Sequence, residues 1–253
     1  MDLSWINWHR QSRRVDLMRQ IGRLFTFGCS FTSFFWPTWA DILGQEADYF
    51  ENWGIPGGGN EYIFNSVNEC LLRNKLTSND TVIIMWTNIW REDRYIQGEW
   101  VTPGNIYHSN NQIINDRGYL IRDLAFINST KEMLENRNIK YIFLAMVPID
   151  NSDQYSVVKL IDCDDVLALY KDTIEEIRPS VYEKIFNFDW HSRQKDREDM
   201  HPIPSEYLEY LDLIVPEYKI SNKTRQWIKA VDAEICNGND IAHLWNKAFP
   251  IRF

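Results

Sequence analysis

Side chains with the chemistry of acyl transfer follow short apolar segments of the sequence. Ser30 follows the first segment, and a glycine-rich turn over residues 54–59 follows the second. Asn88 follows the third, and His201 lies two residues after Asp199. A serine, the backbone N–H groups of an open turn, an asparagine and a histidine beside a carboxylate could supply a nucleophile, oxyanion donors, a base and a group that orients the base. These residue types therefore point to attack on an acyl carbonyl.

The elements that must position these residues form an alternating pattern of strands and helices. Short segments rich in β-branched and aromatic residues alternate with stretches of helical period, which is typical of a parallel sheet. The predicted strands are 23–27, 48–51, 81–86, 141–147 and 184–188. Ligands of open parallel sheets bind at the carboxyl ends of the strands, where the candidate residues are placed.

Length and charge limit the class of protein. The chain has 253 residues, and we expect one domain over 1–253, with a core of about 23–210, an N-terminal extension and packed C-terminal helices. The net charge of −9 argues against nucleic acid or an anionic membrane as a partner. The longest apolar run, 141–147, is far shorter than the ~20 residues of a membrane helix.

The spacing of the cysteines and the composition of the first twenty residues bear on whether the protein binds a metal and where in the cell it is found. The four cysteines, Cys29, Cys70, Cys163 and Cys236, contain no C-x-x-C pair, so neither a metal site nor a disulfide framework is predicted. Residues 1–20 lack the apolar stretch of a secretory signal. We therefore expect a cytoplasmic protein that requires no metal or organic cofactor.

The order of these segments resembles the SGNH (GDSL-like) hydrolase superfamily, in particular small phage-type members, over roughly 23–210. Residues 28–30 (Gly-Cys-Ser) match the family's Gly-Asp-Ser block, and residues 52–57 match Asn-x-x-x-x-Gly. Asn88 matches the asparagine of the Gly-x-Asn-Asp block, and residues 201–202 match the end of Asp-x-x-His-Pro. The resemblance implies a flavodoxin-like three-layer α/β/α sandwich with a parallel five-stranded sheet.

The resemblance also implies residue roles. Ser30 would be the nucleophile and His201 the base, while the Gly57 N–H, the Asn88 side chain and the Ser30 N–H would stabilise the oxyanion. The family's aspartate lies three residues before the histidine, where this chain has Glu198. We expect Asp199 to orient His201, with Glu198 as the alternative.

Other positions depart from the family pattern. Cys29 stands where the family has aspartate, and Trp86 and Ile89 replace the glycine and aspartate that flank the asparagine. These departures keep open an alternative in which the chain is a catalytically degenerate module that binds glycan or forms part of a virion.

The favoured function is that of a serine esterase or O-acyl hydrolase acting on a small-molecule or carbohydrate ester. Several tryptophans lie in the sequence around the motif loops, and their flat faces suit sugar rings, so an acetylated glycan is the first expectation. They are Trp36, Trp39, Trp53, Trp86, Trp90 and Trp100. Core packing explains them equally well. An O-acyltransferase would use the same site residues, and the sequence leaves the oligomeric state open.

The segment 91–118 is longer than most connections within compact domains. It follows the third strand and carries Tyr95, Trp100 and Tyr107, which could cover a cleft. We expect it to form a wall or lid over Ser30. The alternative is that it packs elsewhere or mediates self-association.

Overall fold

The computed structural model describes residues 21–101, 116–149, 162–189 and 199–245, and a parallel sheet lies at its centre. The sheet strands are β1 (Ile21–Phe27), β2 (Ala47–Asn52), β3 (Thr81–Trp86) and β6 (Lys140–Ala145). Their order is β2-β1-β3-β6, and every neighbouring pair is parallel. Strands β4 (Arg94–Ile96) and β5 (Glu99–Val101) form a separate antiparallel hairpin.

The described residues also form eight helices. They are α1 (Trp39–Gly44), α2 (Asn60–Arg73), α3 (Asp116–Asn136), α4 (Asp164–Leu169), α5 (Lys171–Glu175), α6 (Val181–Lys184), α7 (Pro204–Ile214) and α8 (Asn222–Cys236). None of these helices is both long enough and apolar enough to cross a membrane.

Two apolar cores cover the two faces of the sheet because side chains alternate along each strand. On β3, Ile83 and Met85 face a core formed with α1, α6, α7 and α8. Val82, Ile84 and Trp86 face the other core, which contains residues of α2, α3 and α4. The protein is therefore a three-layer α/β/α sandwich, as the sequence predicted.

The predicted fifth strand at 184–188 is wrong. Helix α6 occupies the start of this segment, and a capping box favours its formation: the Glu183 carboxylate accepts from the Ser180 N–H at 2.6 Å, and the Ser180 hydroxyl accepts from the Glu183 N–H at 3.2 Å. Asn187 and Phe188 then adopt positive φ, which a strand does not allow. Four strands therefore make up the main sheet of the described residues.

Several predictions concern residues outside the described ranges. Most of the N-terminal extension (1–20) and the second half of the predicted lid (102–115) lie outside them, as does Glu198. The C-terminal helices are described, and Tyr207 and Tyr210 of α7 and Ile228 of α8 are buried in the first core.

Candidate active site

The turn after β1 places Ser30 at the carboxyl end of the sheet. A Cβ atom at Gly28 would lie 2.0 Å from the Thr32 Oγ1 and 3.0 Å from the Met85 carbonyl oxygen, so only glycine fits there. The Cys29 carbonyl then accepts from the N–H groups of Thr32 and Ser33, at 2.9 and 3.0 Å. Ser30, in this tight turn, is 8% exposed.

His201 connects Ser30 to Asp199 through a continuous chain of hydrogen bonds. The His201 Nε2 lies 2.8 Å from the Ser30 Oγ, and its Nδ1 lies 2.7 Å from the Asp199 Oδ1. The same carboxylate oxygen accepts from the His201 backbone N–H at 2.8 Å, which fixes the carboxylate relative to the ring. The Trp36 indole N–H donates to the Pro202 carbonyl at 2.8 Å and joins the histidine segment to the segment that follows Ser30.

Aromatic rings enclose the His201 imidazole. Phe34 stacks on it with ring centroids 3.8 Å apart, and Phe31 lies at 4.9 Å. Burial has the largest effect on the pKa of His201 and lowers it; the Asp199 carboxylate opposes this and raises it, and the positive charge of Arg91 has the smallest effect and lowers it. Because a carboxylate only accepts, the neutral ring carries its proton on Nδ1 and can accept the Ser30 hydroxyl proton at Nε2.

The glycine loop (residues 54–59) lies against the Ser30 turn. The Ile55 N–H donates to the Gly28 carbonyl at 3.2 Å, and the Asn52 amide donates to the Thr32 carbonyl at 2.7 Å. Gly57 has a φ of 78°, as expected for an open glycine turn. Neither the Gly57 N–H nor the Ser30 N–H has a hydrogen-bond partner among the described residues, so both can donate to a bound group.

Asn88 lies on the next loop, directly after β3, and is half-buried. Its Oδ1 accepts from the Trp90 N–H at 3.1 Å, which orients the side-chain amide. The Nδ2 of Asn88 has no partner within the described part of the chain and can donate. The structure thus brings Ser30, His201 and Asp199 into direct contact, while oxyanion roles for Gly57 and Asn88 remain predictions.

A buried clamp that the sequence analysis missed fixes the loop that carries Asn88. The Asn60 side chain accepts from the Thr87 N–H at 2.9 Å and donates to the Thr87 carbonyl at 3.1 Å. It also donates to the Asp123 carboxylate at 2.8 Å, which in turn accepts from the Arg122 Nε at 2.6 Å. Burial raises the pKa of the Asp123 carboxyl to about 6. The available signal was Asn60 itself, an uncharged polar residue directly after three glycines.

Two further side chains hold the glycine loop from the segment after β3. The Asp93 carboxylate accepts from the N–H groups of Gly59 and Tyr62, at 2.8 and 2.9 Å. The Arg91 guanidinium donates to the Gly58 carbonyl at 2.8 Å. The backbone conformation of the loop is therefore set by side chains from a neighbouring strand end.

The β4–β5 hairpin forms the first part of the predicted lid. Trp100 packs edge-on against Tyr62 of α2, with ring centroids 5.7 Å apart, and against Tyr95 at 5.5 Å. The hairpin is thereby attached to the first turn of α2, next to the glycine loop. Whether the complete segment covers Ser30 stays a prediction, because 102–115 lies outside the described ranges.

The tryptophans near the motifs divide into two groups. Trp39, Trp53 and Trp86 are buried in the cores and are unable to stack on a sugar ring. Trp36, Trp90 and Trp100 are half-buried, so core packing accounts for at least half of the set.

Metal-binding side chains do not form a cluster in the described ranges. No group of three or more histidine, cysteine, aspartate or glutamate side chains there is arranged to hold an ion.

Comparison with known proteins gives only distant structural similarities. No protein-family model and no curated protein sequence matches the chain. A GDSL-like lipase from Bacteroides thetaiotaomicron is 14% identical, with 90% of this chain and 98% of that chain covered and a TM-score of 0.43. A member of the lipolytic protein G-D-S-L family from Veillonella parvula is 13% identical, with 76% and 97% covered and a TM-score of 0.46.

Proposed function

We propose that this protein is an ester hydrolase in which Ser30 is the nucleophile, His201 the general base and Asp199 the residue that orients His201. The observation that carries the proposal is the unbroken hydrogen-bond chain from the Asp199 Oδ1 through both His201 ring nitrogens to the Ser30 Oγ. The free N–H groups of Ser30 and Gly57, together with the Asn88 amide, support an oxyanion site beside the nucleophile.

In the first half of the reaction, the Ser30 Oγ attacks the ester carbonyl carbon while the His201 Nε2 takes the hydroxyl proton. The resulting imidazolium is stabilised by the Asp199 carboxylate. Negative charge develops on the former carbonyl oxygen, where donors already in place stabilise it without reorganisation. Collapse of the tetrahedral intermediate breaks the ester C–O bond, and His201 returns the proton to the leaving alcohol.

In the second half, water attacks the acyl-Ser30 carbonyl, and the His201 Nε2 takes a proton from that water. The C–O bond to Ser30 then breaks, the proton passes to the Ser30 Oγ, and the carboxylic acid is released. An acyltransferase would differ only in using a sugar hydroxyl in place of water. Analysis of the products formed with and without an acceptor sugar separates the two activities.

We propose an O-acylated carbohydrate as the substrate class. The supporting observation is an aromatic face at the histidine: Phe35 is 81% exposed and packs edge-on against Phe34, the ring that stacks on His201. An exposed aromatic ring provides a flat apolar face for a sugar ring. Faster release of acetate from an acetylated sugar than from a simple alkyl acetate, with the advantage lost in Phe35→Ala, would support this assignment.

The test of the hydrolase proposal is turnover of 4-nitrophenyl acetate by the wild-type protein and by Ser30→Ala. Loss of the nucleophile should lower kcat by on the order of 10⁴ or more. Ser33→Ala is the matched control, because Ser33 lies in the same turn, is buried, and has a hydroxyl with no hydrogen-bond partner. Near-normal activity of Ser30→Ala would refute the assignment, and an inactive wild-type protein that binds glycan would favour the degenerate binding module.

A further inference from the structure

Arg91 places a positive charge at the proposed active site. Its Nη1 donates to the Gly58 carbonyl at 2.8 Å, next to Gly57, and its Nη2 lies 3.9 Å from the Met146 Sδ. The same sulfur lies 3.7 Å from the Sγ of Cys29, the residue before Ser30. The guanidinium therefore lies between the glycine loop and the carboxyl ends of β1 and β6. Its charge reaches His201, whose pKa it lowers.

Arg91 differs from the other well-anchored arginines in having no carboxylate partner. Among the described residues no carboxylate lies within 4 Å of its guanidinium, and its two contacts are a neutral carbonyl and a thioether. By contrast, five arginines lie 2.6 to 2.7 Å from a carboxylate oxygen: Arg23, Arg117, Arg122, Arg178 and Arg225. A half-buried cation without a counter-ion is unusual, because burial of a charge is costly unless it is paired.

The charge of Arg91 opposes the rise in pKa that burial causes at the neighbouring acid, Asp93, but no Asp93 oxygen lies within 4 Å of the Arg91 guanidinium. Asp93 lies two residues along the chain, but its two oxygens accept from the N–H groups of Gly59 and Tyr62. A guanidinium has five N–H groups, and the contacts to Gly58 and Met146 occupy two of them. Three donors of Arg91 therefore have no acceptor among the described residues, and a guanidinium presents its donors in a fork geometry that matches a carboxylate.

We propose that Arg91 binds a carboxylate or similar anionic group of the ester, so that the enzyme prefers anionic esters over neutral ones. This inference rests on the proposed hydrolase function and names a substrate property of that same site. Because the protein carries a net charge of −9, general attraction does not favour an anion, and the preference must come from a local cation.

Arg91 also contacts Gly58, so removing it would disturb the glycine loop as well. The ratio of kcat/KM for an anionic and a matched neutral ester separates the two effects, since a loop defect lowers both values together. One pair is 4-acetoxybenzoate and 4-acetoxybenzamide, with the charge on the alcohol part. A second pair is mono-4-nitrophenyl adipate and 4-nitrophenyl hexanoate, with the charge on the acyl part. The two esters of a pair can differ in intrinsic reactivity, so each ratio is divided by the ratio of their rates of hydrolysis by hydroxide.

For at least one pair, the wild-type protein should favour the anionic ester by about tenfold or more, the size of one charge-assisted hydrogen bond. Arg91→Gln should reduce this preference to about twofold or less, and Arg91→Lys should retain part of it. Arg94→Gln is the matched control, because Arg94 is exposed and pairs with Glu92 in the hairpin. Equal rates on both members of both pairs, or an unchanged ratio in Arg91→Gln, would overturn the proposal.

A binding measurement separates this inference from the hydrolase proposal. Calorimetric titration of Ser30→Ala with the two benzoyl compounds requires no turnover. Tighter binding of 4-acetoxybenzoate in Ser30→Ala, lost in Ser30→Ala/Arg91→Gln, supports the anion site even if the wild-type protein hydrolyses neither ester. Hydrolysis of both ester pairs without preference for the anionic member, together with equal binding of the two benzoyl compounds, would leave the hydrolase proposal intact and refute the role of Arg91.

Discussion

At the scale of single residues, the environment of His201 determines the pH range in which the proposed base can act. Burial against Phe34 and Phe31 lowers the pKa of His201 below its ordinary value of 6.5, and only the neutral ring can accept the Ser30 proton. Activity should therefore be lost as the pH falls through a midpoint below 6.5. A profile of kcat/KM for 4-nitrophenyl acetate between pH 4.5 and 8 measures this midpoint.

Phe34→Ala provides the matching variant for the pH profile. Removal of the stacked ring exposes the imidazole to water, which relieves the cost of charging it. The midpoint of the acid limb should therefore move upward, toward 6.5 or above. An acid limb above pH 6.5 in the wild-type protein, or a midpoint unaffected by Phe34→Ala, would contradict this account of His201.

The predicted role of Asn88 in stabilising the oxyanion depends on its side-chain amide. If its Nδ2 donates to the oxyanion, Asn88→Ala should lower kcat by about 10² to 10³, because one donor is lost while the nucleophile remains. Asn88→Asp should lower kcat further, since a carboxylate places negative charge beside the developing oxyanion. Equal rates for the wild-type protein and Asn88→Ala would show that Asn88 only terminates the strand through its bond to the Trp90 N–H.

At the scale of elements, the contact between α2 and the loop after β3 connects the packing of the fold to the proposed site. Asn60, the first residue of α2, holds both backbone groups of Thr87 and so fixes the residue before Asn88. Asn60→Ala would leave the buried N–H and carbonyl of Thr87 without these partners, which should lower the free energy of unfolding by about 1 to 3 kcal/mol. We also expect a fall of about tenfold or more in kcat.

Asn65→Ala is the control for the clamp, because Asn65 lies on the same helix but is exposed and bonds only the Glu61 carbonyl. Urea denaturation measures the stability of both variants, and hydrolysis of 4-nitrophenyl acetate measures their activity. If Asn60→Ala loses stability but keeps the wild-type kcat, the clamp serves the fold and leaves the position of Asn88 unaffected.

The elements also show where sequence patterns succeed and fail. Continuous apolar runs predicted β3 and β6 because both are buried on both faces of the sheet. The apolar run at 184–188 does not form a strand because a local signal overrides it: the Ser180–Glu183 capping box favours a helix start. The hydrophobic pattern alone does not predict such local backbone preferences.

At the scale of the whole molecule, the proposed triad depends on contacts between distant parts of the chain. Ser30 and His201 are separated by 171 positions and meet only because β1 and the segment before α7 reach the same edge of the sheet. The order of motifs made this meeting predictable from the sequence. The roles of Asn60 and Asp123, and the role proposed for Arg91, were not predicted, because each depends on which side chain a neighbouring loop presents in three dimensions.

The segment after β3 is predicted to form a wall or lid over Ser30, and this prediction concerns the molecule as a whole. Its first residues, Arg91 and Asp93, hold the glycine loop and must be kept, whereas the exposed hairpin and the residues beyond it can be replaced. Exchange of 94–115 for a short Gly/Ser linker should preserve folding, since Tyr95 and Ile96 of the hairpin are exposed and, among the described residues, Trp100 packs on Tyr62 of α2. If the segment forms a wall of the cleft, the ratio of the rate on bulky esters to the rate on 4-nitrophenyl acetate should be higher in the variant than in the wild-type protein.

Trp100→Ala offers a milder version of this change, because it removes the contact with Tyr62 while keeping the chain length. It should shift the ratio of rates on bulky and small esters in the same direction but by less. Sedimentation of both variants reports their oligomeric state in the same preparations. An unchanged ester profile together with a changed oligomeric state would show that the segment mediates self-association, as the alternative interpretation of its length and aromatic content holds.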